Sequence, residues 1–384
     1  MLGKNPELSL AEIAAVLEAG SIRFRIREFS PGFALLESPG LPPGLGQLLG
    51  GTLKVAEVLC SSDTLEGAAG DLDVGTIARS LPDKPLVGVS APSPEDQEFL
   101  EGFLKERLKA EGLRPGFLHA DGPGVGHAEV SRKRLLERGA EFVAWHGREW
   151  YLGRTIGVHN PYEFRKRDLE RPVQRTMLGI PPRLCRIMIN LTGGKGILAD
   201  PFCGIGSILQ EAILMGWDVR GVDKDPGCVR DCLKNLRWLE RSYGVRILDL
   251  EKKIFRGDAQ GLGKLAGEWT VDAIATEPPL GPPLKGRPSG ERAGNILGEL
   301  KGLYREAIRG MLSAVRPGGR IVLSSPCFRQ GGEVRGLDLA AVARELGASL
   351  RDPLEGAGIP HRFPFLEMES RHSTGRQIWV IEKA

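Results

Sequence analysis

The chain has 384 residues, 41% hydrophobic and 26% charged, with 52 glycines and 27 prolines scattered along it. That is long enough for two or three domains and too apolar for a disordered chain, and it carries no collagen period or low-complexity tract. The net charge of +3 divides unevenly: residues 1–158 hold 17 Lys and Arg against 22 Asp and Glu, a net −5, and residues 159–384 hold 35 against 27, a net +8.

No apolar run approaches the eighteen or so residues of a membrane span, and Glu7 interrupts the opening MLGKNPELSL as a leader. A cytoplasmic protein with no membrane partner is therefore expected. Cys60, Cys185, Cys203, Cys228, Cys232 and Cys327 form no Cys-x-x-Cys pair and the six His form no cluster, so neither a disulfide framework nor a metal site is expected.

Ser9-Leu10-Ala11-Glu12 reads as a capping box opening a helix that Gly20 stops. Residues 21–29 then alternate, with Ile22, Phe24 and Ile26 on one face and Arg23, Arg25 and Arg27 on the other, as in a half-buried strand. Further strands are expected at 33–38 and 53–61, closing a small α+β unit near residue 65. A second unit, 66–158, begins with a strand at 85–90 and a helix opened by Ser93-Pro94. A strand at 117–120, a glycine-rich loop, a helix at 131–138 and a hairpin around Gly147 complete it. Residues 159–180 read as a linker with seven basic residues in 159–190 against three acidic.

From Pro181 onward strands at 196–200, 218–223, 253–258, 272–277, 320–325 and 377–382 alternate with helical stretches. This pattern predicts a doubly wound α/β domain with a parallel sheet, whose ligands bind beyond the carboxyl ends of the strands.

The first of those strand ends carries Asp200-Pro201-Phe202-Cys203-Gly204-Ile205-Gly206. Gly204 and Gly206 permit a sharp turn close to a ligand. A dinucleotide site would want a small residue where Leu209 stands, and an acidic strand end repels a pyrophosphate. It suits a ligand with cationic groups and no phosphate, and S-adenosylmethionine fits. Asp223, beside Lys224, ends the second strand 23 residues after Asp200 and is placed for ribose hydroxyls. Asp258, beside Ala259, ends the third and is placed for the adenine amine.

The fourth strand ends in Thr276-Glu277-Pro278-Pro279-Leu280. An acidic or amide residue, two prolines and an aromatic form the signature of enzymes that methylate exocyclic amines of nucleobases. The lone pair of such an amine is delocalised into the ring, so acceptors must hold its N–H groups and turn the lone pair outward. Glu277 and the Pro278 carbonyl are the candidate acceptors, on a backbone that Pro278 and Pro279 stiffen. Leu280 stands where the aromatic normally stacks, and Glu277 where Asp is usual.

Together with Arg167-Asp168, Arg171-Pro172, Gly179-Ile180-Pro181-Pro182-Arg183-Leu184, Met188-Ile189-Asn190-Leu191 and the opening Gly3-Lys4-Asn5-Pro6-Glu7-Leu8-Ser9, this order resembles the archaeal and eukaryotic tRNA guanine-10 N2-methyltransferases. The resemblance implies a Rossmann-like class I methyltransferase domain at 181–384, a ferredoxin-like subdomain at 1–65 and a THUMP RNA-binding domain at 66–158. It implies S-adenosyl-L-methionine as cofactor, tRNA as partner and a monomeric enzyme, a small activator subunit being left open. Arg132, Lys133 and Arg134 resemble a THUMP phosphate patch, and Arg165, Lys166, Arg167, Arg171 and Arg175 read either as a solvated linker helix or as a phosphate-contacting hinge. Two alternatives stand: an amino-methyltransferase acting on DNA or ribosomal RNA, and a catalytically silent RNA-binding or assembly protein.

Overall fold

The computed structural model describes residues 1–118, 122, 124–174, 179–265, 270–284, 286–368 and 374–384. Arg175, and residues 119–120 of the expected strand, lie outside them. In the carboxyl-terminal half, five strands run parallel in the order Ile254–Arg256, Asp218–Asp223, Ile197–Asp200, Val271–Thr276, Val315–Gln330. Thr374–Lys383 lies antiparallel beside the fifth, with Ala348–Leu350 on its far side. Alternation alone predicted a fully parallel sheet. The last strand departs because no helix intervenes between Leu350 and Thr374 among the described residues, and an antiparallel neighbour needs no crossover helix.

Successive residues of each strand face opposite sides of the sheet, and both sides are apolar. Ala273 and Ala275 point toward a core built with helices Pro182–Leu191, Ser207–Leu214 and Pro226–Tyr243, whereas Ile274 points toward helix Gly290–Ala314. Helix Pro226–Tyr243 begins where Asp225 accepts from the Gly227 N–H at 2.7 Å, with Pro226 preset for the first turn.

The second sheet has the order Lys54–Ser62, Trp150–Val158, Gly139–His146, Leu86–Ser90, Gly116–Leu118. Helix Pro94–Ala110 starts as expected at Ser93, whose hydroxyl accepts from the Asp96 N–H. The expected helix at 131–138 is instead two short ones, His127–Lys133 and Leu135–Arg138, broken by Arg134 in the left-handed region at φ 52°. Inside the unit, Lys54 forms a buried ion pair with Glu141 and also donates to the Val125 carbonyl. Ser90 donates to Glu141 and accepts from the Val125 N–H, which fixes one end of the glycine-rich loop.

The division expected near residue 65 does not separate two bodies. Lys54–Ser62 pairs with Trp150–Val158, so residues 1–65 keep only the two-stranded ribbon Arg25–Phe29 and Ala34–Glu37. Helix Pro6–Ala19 packs Leu8, Leu10, Ala11 and Ala14 into the same core as Leu184, Ile187 and Met188. The capping box is also corrected: Asn5 and Pro6 start this helix a turn earlier, which places Ser9 and Glu12 inside it. Glu12 is fully buried and accepts instead from the N–H groups of Gly50 and Gly51, both at 2.7 Å, and from the Asn190 amide. Arg183 and Arg186 donate back to the carbonyls of Gly50 and Gln47.

Candidate active site

The carboxyl ends of the parallel strands enclose a cavity of about 490 Å³. It is lined by Asp200, Phe202, Gly204, Asp223, Lys224, Asp258 and Ala259, and across from them by Glu277, Pro278, Pro279 and Leu280. Motifs separated by up to eighty residues of sequence therefore converge, as a doubly wound sheet requires of adjacent strand ends.

Asp200 is 2% exposed. Its carboxylate accepts from the Thr276 hydroxyl at 2.6 Å and from the Phe202 N–H at 3.1 Å. Burial pushes its pKa up to about 7; the hydrogen bonds oppose that rise, and the neighbouring carboxylates Asp223 and Glu277 add to it. Asp223 accepts from the Gly204 N–H and the Asp225 N–H, both at 2.9 Å, which fixes its carboxylate at the turn. Asp258 caps the short turn Ala259–Gly261 through the Gln260 N–H.

At Gly204, φ 49°, a Cβ would meet nothing nearer than the Phe202 carbonyl oxygen at 4.0 Å, so the turn itself is not crowded on the cavity side. Gly206 does not line the cavity, contrary to expectation. A Cβ there would stand 2.8 Å from the Cys232 sulfur, so this glycine serves the packing of helix Pro226–Tyr243 against the turn. Cys203 and Cys232 are buried, and burial contributes to raising the Cys203 thiol well above its ordinary value, after its hydrogen bond with Cys232, which suits packing rather than nucleophilic attack.

Glu277 is held by two neighbouring strands. Thr276 lies opposite Leu323 in the parallel ladder, which brings Glu277 beside Ser324, and Pro326 opposite Arg376 brings the arginine in from the last strand. The Ser324 hydroxyl donates to Glu277 at 2.8 Å. Arg376 donates through Nε at 2.6 Å and Nη2 at 3.1 Å, and its Nη1 reaches Glu367 at 3.3 Å. Burial alone would lower the Arg376 pKa; hydrogen bonding to Glu277 and its charge outweigh this and raise it. Tyr304, fully buried, donates to the Pro279 and Ser324 carbonyls and ties the Pro-Pro turn to helix Gly290–Ala314.

Sequence reasoning missed Arg376 at this place. In the sequence, Arg371-His372-Ser373-Thr374-Gly375-Arg376 before the last strand reads as a turn or an RNA contact, and its first three residues lie outside the described ones. The antiparallel register, which alternation cannot reveal, carries Arg376 to Glu277. Two expected phosphate contacts are also corrected. Arg167 is 3% exposed and forms a bidentate pair with Glu211, which Arg186 shares. Arg171 is 4% exposed and donates to Ser207. Both hold the segment before the catalytic sheet in place, and neither faces solvent. Arg165 is exposed; Arg132 and Arg134 are exposed but pair with Glu129 and Glu137, and Lys133 is half-buried. Among the described residues no group of His, Cys, Asp and Glu could hold a metal ion, and no helix is long and apolar enough to cross a membrane.

Comparison with known proteins matches residues 173–327 to the RMKL-like methyltransferase domain. The chain is 26% identical over 333 residues to the tRNA (guanine(10)-N2)-dimethyltransferase of Pyrococcus abyssi, covering 85% of this chain and 87% of that one. It is 34% identical over 122 residues to the probable tRNA (guanine(10)-N2)-dimethyltransferase of Methanothermococcus thermolithotrophicus, covering 31% of this chain and 72% of the relative. Among solved structures, TrmN from Thermus thermophilus shares the fold across 100% of this chain and 98% of that one, with a TM-score of 0.51 at 17% identity. A pocket with an acidic residue at each of three strand ends, an acid-Pro-Pro turn facing it and these relatives along both halves have one common reading: the chain belongs to the tRNA guanine-10 N2-methyltransferase family.

Proposed function

We propose that the protein transfers a methyl group from S-adenosylmethionine to the exocyclic N2 of a guanosine in tRNA. The observation that carries this reading is the meeting of Glu277-Pro278-Pro279 with Asp200, Asp223 and Asp258 around one cavity. A buried carboxylate whose pKa stands near 7 beside two further acids fits a ligand carrying an ammonium and a sulfonium. Asp200 and Asp223 would hold that ligand, with Asp258 and Ala259 beside its adenine. When bound, S-adenosylmethionine supplies a methyl group made electrophilic by the adjacent positive sulfur.

The chain's own residues then have to orient an amine. A carboxylate offers about four acceptor positions, and Arg376 and Ser324 occupy three of those on Glu277. One remains for an N–H of the target, with the Pro278 carbonyl as second acceptor. Both acceptors are held by the fold, so no reorganisation accompanies the reaction. Residues 66–158, read as a THUMP domain, would hold the RNA while the base enters the cavity.

The test is single-turnover transfer to unmodified tRNA followed by mass mapping of the nucleosides. N2-methylated guanosine is expected. Methyl groups in another nucleoside, or transfer to ribosomal RNA or DNA in preference to tRNA, would overturn the assignment.

A further inference from the structure

We propose that the exposed face of helix Pro226–Tyr243 is a track for the RNA backbone, leading from the linker helix toward the mouth of the cavity. The inference rests on the reading that the substrate is RNA. Arg230, Lys234, Arg237 and Arg241 are all exposed. Their spacing of four, three and four residues places them within an arc of about 60° on a 3.6-residue helix, along a line about 16 Å long. Four cations in one straight row are an unfavourable arrangement for a helix surface by itself, because like charges one turn apart repel. An anionic chain laid along the row turns that repulsion into attraction.

The row is joined at both ends to places the substrate must reach. Its carboxyl end meets helix Pro161–Leu169, where Lys166 lies over the Tyr243 ring at 5.1 Å and Arg165 is exposed. The two segments are sewn together further along, since Asn235 exchanges hydrogen bonds with both the N–H and the carbonyl of Val173. Its amino end follows Lys224, which lines the cavity. Arg237 pairs with Glu251, and Lys234 lies 3.8 Å from Asp231. Such exposed pairs are weak and screened, so phosphates can displace them. Arg167 and Arg171, the sequence's own candidates for this role, are buried in ion pairs and hydrogen bonds. The track lies instead on the helix after the second strand, where only the burial pattern separates solvent-facing cations from the rest.

The experiment replaces Arg230, Lys234, Arg237 and Arg241 together by Gln in the full chain. Gln keeps helix propensity, and melting curves check that the fold survives. A control chain carries the same change at exposed Lys301, Arg309, Arg316 and Arg344. Affinity for a tRNA transcript is measured as a function of salt, alongside calorimetry of S-adenosylmethionine binding. Each lost phosphate contact lowers the log–log salt slope by about 0.7–0.9, so a decrease of about 3 and at least about tenfold weaker binding are expected for the first variant. The control should keep both its slope and its transfer activity. An unchanged slope in the first variant, or an equal loss in the control, overturns the track. If the wild-type chain methylates no tRNA guanosine while the first variant still loses slope, the proposed target falls and the track stands.

Discussion

Glu277 has two tasks that a pair of substitutions can pull apart. It takes three hydrogen bonds, two of them from Arg376, and both side chains are largely buried, at 14% and 20% exposure. Glu277→Gln therefore leaves Arg376 with only the 3.3 Å contact to Glu367 as a charged partner. Breaking one side of a buried pair costs about 3–5 kcal/mol, and in a chain whose domains are of about 200 residues each kcal/mol lowers the melting temperature by about 2–4 °C. A drop on the order of 10 °C is expected for Glu277→Gln and for Arg376→Gln. The combined variant, with two neutral amides that can bond each other, should regain most of that stability. If Glu277 also orients the target amine, transfer is a separate matter: single-turnover rates should fall about 10²–10⁴-fold in Glu277→Gln and stay low in the combined variant. RNA affinity, set by phosphate contacts, should hardly change. The assays are thermal melting, rapid-quench transfer and filter binding on the same three proteins. A combined variant that recovers the wild-type rate together with its stability would refute the argument, since the carboxylate would then serve only as a counter-ion.

Three other outcomes follow from the geometry. If Asp223 accepts from both ribose hydroxyls, Asp223→Ala should weaken S-adenosylmethionine binding more than tenfold by calorimetry, because two such charge-assisted bonds are worth roughly 1.5–3 kcal/mol each. If Asp200 holds the cationic cofactor, it does so only when ionised, and its pKa stands at about 7, so cofactor affinity should rise as pH climbs through 7 and flatten above it. Below pH 7 binding should release a proton, seen as a dependence of the calorimetric heat on buffer ionisation, and a flat profile from pH 6 to 8 would contradict this. Lys54→Met should leave Glu141 buried without its cation and destabilise the amino-terminal sheet by about 3–5 kcal/mol, with partial recovery in Lys54→Met, Glu141→Gln, measured by urea unfolding.

The sequence made the catalytic sheet legible because four of its five parallel strands run into a chemically marked residue. Asp200, Asp223, Asp258 and Glu277 fall on one edge by sequence pattern alone, and Asp218–Asp223 has the bounds expected. What stayed hidden depends on partners distant in the chain. Ser9 and Glu12 match a capping box letter for letter, yet Glu12 meets Gly50, Gly51 and Asn190. Arg167 and Arg171 look like solvent-facing cations until Glu211 and Ser207 appear beside them. Arg376 needed the antiparallel register, and Gly206 needed the closeness of Cys232. Local pattern reports which elements form; only tertiary pairing decides which face of each is closed.

The bonds from Glu12, Asn190, Arg183 and Arg186 across to residues 47–51 make the molecule a caliper rather than two tools on a string. If residues 66–158 grip the RNA as proposed, then with the jaws set at a fixed opening the RNA presents to the cavity whichever nucleotide lies at that distance along its fold. Selection would then be by measurement of shape, and a single guanosine would be chosen among many without its neighbours being read. Shortening or lengthening the helix of the RNA between grip and target by one base pair would move a different nucleotide to the cavity, and the site of modification would move with it.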